Sequence, residues 1–157
     1  MKTKIGVSNS QLKESADILS VLLADEMVLY IKTRKFHWNV SGQSFMELHK
    51  LFQDEYVELE EIIDLVAERI NKLGARTVGT MKEFIELTRL AETPDKYPEQ
   101  KDLIKELLDN HESITVFIRK DIEHLNESSK DFGTIDFVTG ILEQHESISW
   151  VLRRYIN

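Results

Sequence analysis

Between residues 45 and 73, apolar or aromatic side chains recur at Phe45, Leu48, Phe52, Tyr56, Leu59, Ile63, Val66, Ile70 and Leu73. Every step is three or four residues, which is the angular rhythm of one helix face and not of a strand. At 1.5 Å per residue such a helix is about 42 Å long. A helix of that length with one apolar stripe must bury the stripe against other helices, so this segment alone points to a helical bundle. Ser44 with Glu47 predicts a capping box at its start, and Gly74 suits its stop.

The rest of the chain supplies the partners. Leu12, Ala16, Leu19, Leu23, Met27 and Tyr30 mark a preceding helix, with Ser8 and Gln11 as its capping box. Residues 74 to 98 break the pattern with Gly74, Gly79, Pro94 and Pro98, and within them Thr80 and Glu83 cap a short helix carrying Met81, Phe84 and Ile85. Pro98 suits the first turn of a third long helix with Leu103, Leu107, Ile114, Ile118 and Leu125. After Gly133 a fourth carries Val138, Ile141, Ile148, Leu152 and Tyr155. The expected fold is all-α, a four-helix bundle with a short helix in the crossover between helices two and three. Residues 1–157 read as a single domain, with 1–8 as a short flexible tail. The tetrapeptide His-Glu-Ser-Ile at 111–114 and 145–148 is either coincidence or a shared bundle position.

The chain has no cysteine, so any metal must be held by imidazole, carboxylate or amide groups. No signal peptide and no membrane-length apolar run is apparent, which predicts a soluble, cytoplasmic protein. The formal charge of −8 disfavours phosphate backbones. The basic residues near the termini, Lys2, Lys4, Arg153 and Arg154, make a weak electrostatic footprint for DNA.

Five histidines are present: His37, His49, His111, His124 and His145. Thr115 and Ser149 stand where a zinc protease would need its second histidine, which removes that class. An intrachain di-iron site of the usual bundle type wants Glu-x-x-His on two helices, and none occurs, Asp121 with His124 being the nearest approach. His111, His124 and His145 read as core-edge or surface residues. Asp64 and Glu68 share a helix face off the core stripe and point away from their own bundle. Fifteen residues separate His49 from Asp64, roughly 22 Å along one helix. If both serve one metal, they come from different subunits.

The stretch from His37 to Arg69, with His37-Trp38-Asn39-Val40, Gly42, Phe45, Leu48-His49, Asp64 and Ala67-Glu68-Arg69, resembles the Dps family, the DNA-binding proteins from starved cells. The similarity runs through the crossover helix to Trp150-Val151-Leu152-Arg153. The resemblance implies a ferritin-like fold and a homo-oligomer, a hollow dodecamer. It also implies a ferroxidase site of His37 and His49 from one subunit with Asp64 and Glu68 from its partner, beside Trp38. Iron is then the substrate, oxidised with hydrogen peroxide and stored as ferric mineral, although zinc or manganese suits the same ligands. One departure is Gln53, four residues after His49, where many members carry an acid; it would serve a second iron or a bound water without adding charge. Asp131 and Asp136, flanking Thr134, resemble the family's pore segment, the other reading being helix capping. Without the resemblance, Asp64 and Glu68 read as a solvated face, His49 as a flank residue, and Trp150 as packing; Trp38 reads equally as packing or redox. A DNA-condensing role with little iron chemistry is the alternative function.

Overall fold

A computed structural model describes residues 3–156. They form α1 (Asn9–Asn39), α2 (Phe45–Lys72), α3 (Met81–Leu87), α4 (Gln100–Ser128) and α5 (Phe132–Ile156), with no strand among the described residues. The local signals act as expected at two starts. Ser8 and Gln11 form the reciprocal capping box of α1, and Thr80 and Glu83 form that of α3. Gly74 closes α2 in the left-handed region at φ 88°. Two starts differ. Ser44 makes no side-chain cap because its backbone is not extended (φ −94°, ψ 25°), and Glu47 instead accepts a hydrogen bond from the Tyr155 hydroxyl at 2.9 Å. Pro98 stands outside the third long helix, since extended Glu99 (ψ 161°) separates it from Gln100.

The four long helices enclose one core built on Leu19, Leu23, Phe52, Leu59, Val66, Leu107, Ile114, Ile118, Val138 and Leu152. On α2 the buried side chain is Ile62, with Ile63 only half-buried, and Phe45 at the helix start is 38% exposed. A strict 3.5-residue repeat drifts about 20° per heptad on a straight helix, so a stripe of four heptads leaves the core at its end. Tyr155, at the far end of α5, is exposed for the same reason and reaches Glu47 across the surface.

Cross-helix pairs give the directions. Lys32 reaches Asn110 while Glu14 reaches His124, so α1 runs antiparallel to α4. Glu47 meets Tyr155 and Arg69 meets Thr134, so α2 runs antiparallel to α5. The α1–α2 turn is tight, hence α2 and α4 are parallel and residues 73–99 must travel the length of the bundle. That strap is tied at three heights. The Thr77 hydroxyl donates to the Ala67 carbonyl at 3.0 Å, buried Asp25 binds Arg89, and Lys35 donates to the Thr93 carbonyl at 2.8 Å. Near the chain start, the Thr3 hydroxyl lies 3.4 Å from the Leu73 carbonyl and Val7 packs on the core; Met1 and Lys2 of the expected tail lie outside the described residues. No described helix is long and apolar enough to cross a membrane.

Candidate metal centre

His37 in the last turn of α1 and His49 in the second turn of α2 are brought together by the five-residue turn between the helices. Their rings stack at 3.7 Å between centroids and 19° between planes. His37 Nδ1 lies 2.7 Å from the His49 carbonyl, and His49 Nδ1 lies 2.9 Å from the His37 carbonyl. A carbonyl can only accept, so both Nδ1 atoms carry the proton and, in the neutral rings, both Nε2 atoms keep a lone pair. This reciprocal lock fixes tautomer and orientation in the manner typical of metal-binding imidazoles. Neither Nε2 has a hydrogen-bond partner among the described residues.

The surroundings of this pair are aromatic and partly open. Tyr56 meets His37 edge-on at 5.3 Å, and Phe45 lies 5.1 Å from His49. Trp38 is 62% exposed, its ring lying 5.3 Å from the Arg34 guanidinium, which also sits over Tyr56 and donates to the Tyr30 hydroxyl at 2.6 Å. Exposed Met46, Val57 and Leu65 continue an apolar surface down α2.

Asp64 and Glu68 are exposed on that outer side of α2, far from the histidines of the same chain, as the helix rise requires. Glu68 accepts from Lys72 at 2.8 Å, which holds its carboxyl below the ordinary range. Gln53 is exposed one turn beyond His49, and neighbouring Asp54 is paired with Lys50. Asp131 is buried, its carboxylate accepting from the Thr134 N–H at 3.1 Å and hydroxyl at 2.6 Å with Arg69 at 3.5 Å, so in this chain it caps α5. Asp136 is exposed.

A second histidine cluster departs from the sequence reading. His111 and His145, expected at the core edge or surface, are both 0% exposed. Burial is possible because groups from all four long helices satisfy both nitrogens of each ring. Glu26 of α1 lies 2.8 Å from His145 Nε2, the two Nδ1 atoms are 2.8 Å apart, and Glu55 of α2 lies 2.7 Å from His111 Nε2. Burial raises the Glu55 carboxyl to about 8 and pushes His111 well below its ordinary value, the neighbouring His145 adding to the latter. Two signals for this cluster were present: Glu55 occupies a core slot between Phe52 and Leu59, and the repeated His-Glu-Ser-Ile places each histidine at a matching height. His124 is at the surface as expected, paired with Glu14 at 2.8 Å. Trp150, expected to pack, is 56% exposed because Ile148, Ser149 and Leu152 take the inward positions of α5; the Arg154 guanidinium lies 5.8 Å from its ring.

The model of the ferritin-like domain matches residues 16–157. DNA protection during starvation protein 2 of Bacillus anthracis is 34% identical over 146 residues, covering 92% of this chain and 98% of the relative. A low temperature-induced protein of Nostoc is 36% identical over 155 residues, covering 99% and 87%. Among solved structures, a Dps protein from Vibrio cholerae O1, described as a member of a broad superfamily of ferritin-like diiron-carboxylate proteins, superposes with a TM-score of 0.91 at 29% identity, covering 100% of this chain and 98% of that one. DpsC from Streptomyces coelicolor gives 0.94 at 28%, covering 100% and 91%.

Proposed function

Since the chain belongs to the Dps family of ferritin-like proteins, we propose that it oxidises ferrous iron at a site shared by two subunits and stores the ferric product inside a hollow homo-oligomer. The observation that carries this reading is the His37–His49 lock, which presents two oriented nitrogen lone pairs at an open aromatic surface. Nitrogen donors completed by carboxylates, with positions left open, suit ferrous iron as substrate. The carboxylates are Asp64 and Glu68 of a second subunit, because those of the same chain lie roughly 22 Å away along α2. Exposed Met46, Val57 and Leu65, spread along α2, supply apolar area for that contact. Hydrogen peroxide is the proposed oxidant: it takes one electron from each of two ferrous ions, and two protons, to leave two waters. Gln53 adds no charge for a second iron, so the two positions differ in affinity.

Anaerobic titration should show ferrous iron binding that disappears when His37 and His49 are both replaced by Ala, and stopped-flow mixing should show faster oxidation by peroxide than by dioxygen at matched loading. Binding unchanged by the double replacement would place the site elsewhere. The assembly is expected to be a dodecamer of about 220 kDa, twelve times the 18.3 kDa chain, by sedimentation. A monomer at micromolar concentration rules out a shared site. Little retardation of DNA is expected at physiological salt, because the net charge is −8 and few phosphates could be neutralised. Tight, salt-sensitive retardation would return the DNA-condensing role to first place.

A further inference from the structure

The buried line Glu26–His145–His111–Glu55 ends at a cavity of about 110 Å³ between α2 and α5. Buried Glu55, Ile148 and Leu152 form its inner wall, and half-buried Leu51, Val151 and Glu58 form its mouth. Exposed Asp54 at the rim is already paired with Lys50. One oxygen of Glu55 is committed, since Oε1 lies 2.7 Å from His111 Nε2. The other, Oε2, is buried with no partner on a residue only 4% exposed. A buried acceptor in that state is costly, and the cavity is where its partner can stand.

Charge narrows what that partner can be. The three hydrogen bonds of the line require three protons, so its two carboxylates and two imidazoles carry one net negative charge, and no lysine or arginine takes part in them. Glu58, one turn after Glu55 on the same face, adds a second carboxyl, raised above its ordinary range by desolvation. A metal ion does not suit the place, because no three His, Asp or Glu side chains among the described residues could hold one, and four of the walls are aliphatic. A water molecule would satisfy Oε2 but would neither neutralise the charge nor cover the aliphatic walls.

We propose that this cavity binds a small primary alkylammonium ion, its nitrogen donating to Glu55 Oε2 and Glu58 and its carbon stem lying among Leu51, Ile148, Val151 and Leu152. The space equals roughly four water-sized groups, which fits an amine of about three or four carbons. The hydrogen-bonded line lets the buried charge meet the cation. Burial raises the Glu55 carboxyl to about 8, so in the amine-free protein that end holds a proton and the charge lies at Glu26. On docking, each proton moves one bond along: from Glu55 to His111 Nε2, from His111 Nδ1 to His145 Nδ1, and from His145 Nε2 to Glu26. No proton leaves the line, the charge comes to Glu55, and both imidazoles exchange tautomers.

The test titrates the assembled, metal-free protein with n-butylammonium chloride at fixed ionic strength. One ion per chain is expected, with a dissociation constant on the order of 1 mM, within what so few atoms can supply. Methylammonium, which lacks most of the apolar stem, and n-butanol, which lacks the charge, should each bind roughly tenfold more weakly or worse. Nitrogen-15 spectra of histidine-labelled protein should show His111 passing from the Nδ1–H to the Nε2–H tautomer and His145 the reverse. Glu58→Gln should weaken binding about fivefold, and Val151→Phe, which fills the mouth of the cavity, should abolish it. Four results overturn the proposal: no saturable binding up to about 10 mM, equal affinity for methylammonium, tautomers unchanged at saturation, or binding undiminished by Val151→Phe. Competition between the amine and ferrous iron would place it at the interface and overturn it too. Should Val151→Phe fail to assemble, wild-type crystals soaked in n-butylammonium decide: density with its nitrogen on Glu55 Oε2 supports the site, and water alone there overturns it.

Discussion

Co-assembly of a chain lacking His37 and His49 with a chain lacking Asp64 and Glu68 should restore about a quarter of the wild-type iron sites, although each variant alone restores none. The magnitude follows from two-fold pairing. Half of randomly formed dimers are mixed, and each mixed dimer has one site with all four side chains and one with none. Each pure assembly should oxidise ferrous iron at least tenfold more slowly than wild type, since two oriented donors are lost per site. Stopped-flow absorbance at matched iron loading reads both numbers, and native mass spectrometry verifies mixing. Mixed assemblies that recover no sites would sink the intersubunit reading.

Replacing Asp25 by Ala should cost about 3 kcal/mol of stability, the low end for breaking a buried ion pair. Asp25 is fully buried on α1 and accepts from the Thr88 hydroxyl at 3.0 Å, the Arg89 N–H at 2.6 Å and Arg89 Nε at 2.7 Å. Its removal frees the middle of the strap and leaves one backbone and two side-chain donors without that acceptor. The loss stays near the low end because Arg89 is a quarter exposed and keeps Asp121 at 2.9 Å. Asp25→Asn, which retains an acceptor oxygen, should lose clearly less. Urea midpoints at one fixed chain concentration measure both, concentration being held because assembly contributes to stability. A change within about 0.5 kcal/mol for Asp25→Ala would show that the strap does not depend on this tie.

The helices were legible because each long segment carries its own periodic stripe, and the crossover because Gly and Pro cluster in it. Local capping was legible at Ser8 and Thr80, where side chain and amide are three residues apart, but not at Ser44, whose backbone is set by the tight turn before it. His37 and His49 stood out through the resemblance of the segment around them. Their mutual lock did not, since it depends on the path of the turn and not on residue type. The buried quartet escaped for a plainer reason. A single acid in an apolar stripe reads as noise until its partner is known, and here Glu55 and Glu26 find their histidines 56 and 119 residues away.

The bonds that hold His37 to His49 span only twelve residues of chain. A loop that short closes at small entropic cost, and helical hairpins form on the microsecond scale, long before subunits meet. A newly made chain thus has its nitrogen donors in place while still alone, whereas under the shared-site reading its oxygen donors arrive only by docking. Under that proposal association would act as a safety catch: stray chains would hold iron too loosely to turn it over, and oxidation would start only where a shell exists to contain the product.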